Sequence, residues 1–151
     1  MPIPSYAKIN LYLKIGKKLN SGYHKIQSVM QKVELSDSMT IEHLSEDRII
    51  VESTNKEIES EGNLAYKAAM LLKKKFKVRQ GARIFIEKNV PLEAGLGGGS
   101  SNAATALINL NKMWGLKLKE KQLIDLAAQL GADVPFFIGE NAALVEGIGE
   151  E

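Results

Sequence analysis

Between a short alternating run, Ala82 to Glu87, and an apolar stripe from Ala103 to Trp114 lies the segment Pro91-Leu92-Glu93-Ala94-Gly95-Leu96-Gly97-Gly98-Gly99-Ser100-Ser101. Its neighbours bound what it can become. The run before it alternates as a strand does, and Ala103, Ala104, Leu107, Leu110, Asn111 and Trp114 recur at helical spacing until Gly115. A strand, a glycine-rich bend and a helix start, in that order, turn successive backbone amides and the positive end of a helix toward one point. An anion, phosphate above all, needs that arrangement. Glycine keeps side chains out of the way, while Ser100 and Ser101 are suited to cap the helix, donate to phosphate oxygens or help orient Mg²⁺. A flexible turn with a serine cap is the bland alternative. No Lys-Ser or Lys-Thr follows the glycines, which excludes a Walker A loop, and their spacing excludes a dinucleotide fingerprint.

The rest of the chain reads as strands first and helices later. Ala7 to Ile15 alternates with Lys8, Asn10, Tyr12 and Lys14 on one face, the pattern of a half-buried strand. Asn20-Ser21-Gly22 marks a turn; Ile26 to Leu35 and Met39 to His43 read as antiparallel strands joined near Asp37-Ser38, and Arg48 to Glu52 as another. Asn63 is placed to cap a helix carrying Leu64, Ala68, Leu71, Leu72 and Phe76, with Lys73 to Lys75 at its wet end. Glu120 to Leu130 predicts a third helix, Asp133 to Gly139 a compact apolar segment, and Ala142 to Val145 a strand. Grouped in this way the elements predict an α+β fold. A length of 151 residues with 44% hydrophobic content suits one domain with its own core.

Composition narrows the chemistry. Without cysteine there is no thiolate nucleophile or disulfide, and two separated histidines give no reason to expect a structural metal. A net charge of +2 spread along the chain gives none to expect a nucleic-acid partner, and no apolar run approaches the ~20 residues of a membrane span. The expectation is a cytoplasmic protein acting on a small molecule. Asp133 lies in apolar surroundings, where a carboxylate is either a poised base or a turn or helix cap. Lys8 is either its charge partner or a solvated strand lysine; Tyr23-His24 either reads a base by stacking and hydrogen bonding or packs in a hairpin.

Together, Ala7-Lys8-Ile9-Asn10-Leu11, Gly22-Tyr23-His24, Asn63-Leu64, Pro91 to Ala104 and Leu130-Gly131-Ala132-Asp133-Val134-Pro135-Phe136-Phe137 resemble the galactokinase, homoserine kinase, mevalonate kinase and phosphomevalonate kinase (GHMP) superfamily. With Tyr23-His24 and the Gly-Ala-Asp-Val-Pro segment, the chain is similar to the branch acting on 4-diphosphocytidyl-2-C-methyl-D-erythritol in non-mevalonate isoprenoid synthesis. The resemblance implies an N-terminal GHMP kinase domain, related to the ribosomal protein S5 domain 2-like fold. It also implies transfer of the γ-phosphoryl of ATP, with Mg²⁺, to the acceptor's 2-hydroxyl. By the same resemblance Asp133 would be the base, Lys8 its charge partner, Asn10 a neighbour in the acceptor site, and Tyr23 and His24 the cytosine readers. Pro91, Gly95, Leu96, Gly97, Gly98, Gly99, Ser100 and Ser101 would hold the ATP phosphates, with Asn63, Leu64 and Lys88 near adenine. Residues 1–151 would be the ATP-binding domain of a longer enzyme whose C-terminal half completes the cleft, so that the chain alone would turn over poorly. Another small-alcohol kinase of the superfamily and a non-catalytic nucleotide-binding fragment are the alternatives.

Overall fold

The computed structural model describes residues 1–18, 24–139 and 141–145, the backbone alone at 15–18, 24–26 and 145. The predicted turn at Asn20-Ser21-Gly22, Tyr23 and the side chain of His24 lie outside what is described. Two long antiparallel strands open the chain, β1 (Ile3–Lys18) and β2 (His24–Leu44). β3 (Ile49–Ser53) leads through a 3₁₀ turn at Lys56–Ile58 to α1 (Leu64–Phe76) and back to β4 (Gly81–Glu87), parallel to β3. After the glycine loop come α2 (Gly98–Met113), α3 (Glu120–Ala127), the short α4 (Val134–Ile138) and β5 (Ala142–Val145). β2 carries β1 along one edge and both β4 and β5 on the other, giving a mixed sheet with strand order β1-β2-β4-β3. The α+β expectation holds, with one parallel crossover, β3-α1-β4, inside it.

The core forms where helices cover one sheet face. Met30, Met39, Ile84 and Ile86 from the sheet meet Leu72 of α1, Leu107 and Leu110 of α2, and Phe136 and Phe137 of α4. Alanines at 103, 104 and 106 let the almost wholly buried α2 approach its neighbours closely. Asn63 caps α1 as expected, its Oδ1 accepting from the Ala65 amide at 2.8 Å.

Three expectations need correction. The predicted break near Asp37-Ser38 does not occur, because Asp37 is fully buried within the continuous β2 and its carboxylate is satisfied by groups more than 50 residues away. Turn propensity loses to those long-range bonds. Lys73 is not at a wet end: its ammonium is buried, bound to Asp47 and to the Gln80 carbonyl at 2.8 Å, and lies 5.9 Å from the Trp114 ring centre. Nor is β1 half-buried throughout, since a register shift between Asn10 and Tyr12 breaks the alternation and Ile9, Leu11, Tyr12 and Leu13 are all exposed.

Candidate active site

The glycine loop is fastened from both sides before it bends. At its start the buried Asp37 carboxylate accepts from the Asn89 and Val90 amides, at 2.8 and 2.7 Å, through Oδ1, and from Lys88 Nζ at 2.7 Å through Oδ2. Lys88 also donates to the Val90 carbonyl. At its end the Lys8 amide donates to the Leu96 carbonyl at 2.9 Å, tying β1 to the residue before the bend. The loop is therefore held at both ends, not merely glycine-flexible.

Gly97 makes the turn into α2. Its φ of 69° lies in the left-handed region, and a Cβ there would stand 2.8 Å from Phe137 Cζ and 3.1 Å from Lys8 Cγ. It occupies the N-cap of α2 with no side-chain capping bond, so the serine-cap alternative is not what starts this helix. The first intrahelical bond runs from the Ser101 amide to the Gly97 carbonyl at 2.8 Å. The amides of Gly98, Gly99 and Ser100 precede it and have no helical acceptor to point at. They form an edge of backbone donors at the start of α2.

That edge faces a cleft of about 600 Å³, within the ~300–1,000 Å³ usual for small-ligand sites. Pro91, Gly95, Leu96, Gly97, Gly98, Gly99 and Ser100 line it together with Leu64 and Lys88. Asn63 lies in an adjoining hollow that shares Leu64 and Lys88; its Nδ2 donates to the Ile58 carbonyl, so its side chain serves the wall. Ser101 stands apart. Its amide is taken by Gly97, and its buried hydroxyl is 2.8 Å from that of Ser5, which also donates to Asn102 Oδ1.

The cleft's opposite wall includes Glu57 and Ile58, which sequence reasoning did not single out. They sit on the 3₁₀ turn, which is pinned by Asn55 Oδ1 accepting from the Glu57 amide and by Glu59. The Lys56 ammonium and then the Ser53 amide hold the Glu59 carboxyl below its ordinary pKa. A lone apolar residue, Ile58, in a polar run was the available signal.

On the other side of Gly97, Lys8 and Asp133 meet. Asp133 Oδ2 lies 3.4 Å from Lys8 Nζ, with the lysine buried and the carboxylate about one-third exposed. Asp133 holds the N-cap position of α4 but makes no capping bond, which leaves its carboxylate to Lys8 and the opening. Lys8 also donates to Asn10 Oδ1 at 3.3 Å, and Ser28 Oγ lies 3.1 Å from that oxygen. The expected grouping of Lys8, Asn10 and Asp133 is thus present. Lys8 lies between this group and the helix-start amides: its own amide is bonded to Leu96 and its side chain lies against Gly97, the residue before those amides.

Helix-start amides without a helical acceptor beside a paired carboxylate and ammonium are groups of the kind a phosphoryl-transfer class of site requires, and the chain belongs to the GHMP kinases, whose N-terminal domain matches residues 63–140. It is 49% identical over its whole length to 53% of the 4-diphosphocytidyl-2-C-methyl-D-erythritol kinase of Caldicellulosiruptor bescii, and 48% identical over 99% of its length to 51% of that of Clostridioides difficile. A crystal structure of 4-(cytidine 5'-diphospho)-2C-methyl-D-erythritol kinase superposes with a TM-score of 0.85 at 35% identity, covering 99% of this chain and 53% of that one. The chain spans about half the length of the curated relatives it matches. Among the described residues no helix is long and apolar enough to cross a membrane.

Gly97→Ala tests the loop. The left-handed backbone costs an alanine about 1–2 kcal/mol, and the new methyl meets a buried ring. Affinity for an unhydrolysable ATP analogue, by titration calorimetry, should fall at least ~10-fold, about 1.4 kcal/mol, and recover in part when Phe137→Leu is added. Unchanged affinity would mean the bend does not shape the site.

Proposed function

We propose that this chain supplies the nucleotide cradle and the catalytic base of a kinase that transfers the γ-phosphoryl of ATP to the 2-hydroxyl of 4-diphosphocytidyl-2-C-methyl-D-erythritol. The observation that carries the reading is the Lys8–Asp133 pair, 3.4 Å apart, against the bend whose free amides open the cleft. The relatives' names favour this acceptor over another small alcohol.

In this reading the Gly98, Gly99 and Ser100 amides hold phosphate oxygens through backbone donors and the α2 dipole. Leu64 and Ile58 give an apolar wall for the base. Asp133 takes the proton from the acceptor's 2-hydroxyl; the oxygen forms its bond to the γ-phosphorus as the bond to the β–γ bridging oxygen breaks and ADP leaves. Lys8 aims Asp133 and faces the charge that develops on the transferred group. Tyr23 and His24 read cytosine, and the remaining half of the relatives' length supplies the other wall of that pocket.

Among the described residues no three His, Asp or Glu side chains gather as a metal cage. Mg²⁺ typically arrives on phosphate oxygens, keeps several waters and takes few protein ligands. Ser100, which lines the cleft, is the side chain that would help hold it, and bound there it would neutralise phosphate charge.

The test is single-turnover transfer from γ-labelled ATP, followed by ³¹P NMR, to 4-diphosphocytidyl-2-C-methyl-D-erythritol with mevalonate and homoserine as competitors. Label appearing on the cytidyl acceptor alone is the expected result. Label on one of the others would overturn the acceptor assignment.

A further inference from the structure

Lys8 and Lys32 stand directly opposite each other on β1 and β2. Cross-strand partners face the same side of a sheet, and like charges in that position repel. Here the two ammonium groups diverge to opposite ends of α4. Lys8 reaches Asp133, immediately before the helix, while Lys32 Nζ reaches the carbonyls of Gly139 at 3.0 Å and Phe137 at 3.4 Å, at its end. Lys32 also lies 5.7 Å from the Phe136 ring centre.

A helix of five residues has almost no internal bonding and takes its position from tertiary contacts. α4 has three such contacts around the site: its aromatic pair in the core, Phe137 against Gly97, and the two lysines at its ends. Lys32 satisfies carbonyls that no helical amide reaches. Burial pushes its ammonium below the ordinary lysine pKa, as expected for a charge drawn out of water to make these bonds.

We infer that Lys32 is a positioning residue for Asp133: by fastening the far end of α4 to β2, it fixes the helix so that the near end holds Asp133 against Lys8. The inference rests on the kinase reading for its meaning but on geometry for its content. Lys32 need not touch a substrate. Its removal frees the end of α4 and also removes the charge that keeps Lys8 on its own side, so both changes loosen the Lys8–Asp133 contact.

The experiment is competitive acetylation of lysine amines with trace acetic anhydride, quantified by peptide mass spectrometry, on the unaltered chain and on Asp133→Asn, Lys32→Met and Lys32→Arg. Lys8 should be labelled several-fold faster in Lys32→Met, as in Asp133→Asn, and near the unaltered rate in Lys32→Arg, which keeps charge and donors. Lys73, buried and paired with Asp47 and Gln80 and bonded to neither Asp133 nor α4, should be unchanged throughout. If Lys32→Met leaves Lys8 unchanged while Asp133→Asn exposes it, or if Lys73 rises together with Lys8, Lys32 does not position Asp133. Failure of the kinase reading would appear separately, as no binding of an ATP analogue by the unaltered chain, and would leave the labelling comparison standing.

Discussion

Replacing Asp133 by Asn should lower single-turnover phosphoryl transfer by roughly 10²–10⁴-fold, the usual contribution of a positioned general base, while affinity for an ATP analogue stays within about threefold. The two readouts separate because the proposed nucleotide edge consists of the amides of Gly98, Gly99 and Ser100, none of which depends on the Asp133 carboxylate. Asparagine keeps the shape and an oxygen for Lys8 but cannot take a proton. Since Asp133 makes no capping bond to α4, the substitution removes no helix cap; it does remove the charge facing the buried Lys8 ammonium, and because the Asp133 carboxylate is about one-third exposed the thermal midpoint should fall by less than in Asp37→Asn. Transfer retained at the unaltered rate would remove Asp133 from the chemistry.

Asp37 predicts the largest loss of stability. Its fully buried carboxylate holds the Lys88 ammonium and two loop amides, so Asp37→Ala leaves a buried charge, the buried Val90 donor and the Asn89 amide without their acceptor. Removing one partner of a buried pair typically costs about 3–5 kcal/mol. For a chain of this size that lowers the thermal midpoint by roughly 6–20 °C. Asp37→Asn keeps an oxygen for the Asn89 and Val90 amides but turns an amide group toward an ammonium, so it should also destabilise. Adding Lys88→Met to Asp37→Asn removes that conflict and should recover most of the loss. Equal midpoints for Asp37→Asn with and without Lys88→Met would show that the ion pair is not what holds the loop.

The parts of the site that sequence made legible are those whose signals are local. Spacing alone put Lys8 and Asn10 on one side of a strand, and their side chains do meet. The glycine run between a strand and a helix predicted the free amides, and Asn63 predicted its cap. What escaped depends on partners far along the chain. Asp37-Ser38 has the composition of a turn, yet a carboxylate satisfied by residues 88 to 90 is stable inside a strand. Lys73 resembles its neighbours Lys74 and Lys75, and only the positions of Asp47, Gln80 and Trp114 distinguish it. Ser100 and Ser101 are chemically alike, but the roughly 100° between consecutive helical residues sends the first to the cleft and the second to Ser5. The pairing of Lys8 with Lys32 required the register of β1 on β2, which the shifts along that hairpin conceal from any count of residues.

The central claim, that the start of α2 is a nucleotide-phosphate cradle beside Asp133, is tested most directly by ¹⁵N NMR of the chain titrated with an unhydrolysable ATP analogue and Mg²⁺. Saturable shifts largest at the Gly98, Gly99 and Ser100 amides, smaller at Ser101, and moved to at least ~10-fold higher analogue by Gly97→Ala are the predicted result. Shifts that leave those three amides untouched, or no shift in a folded chain at millimolar analogue, about the weakest affinity a real cradle would have, would contradict it.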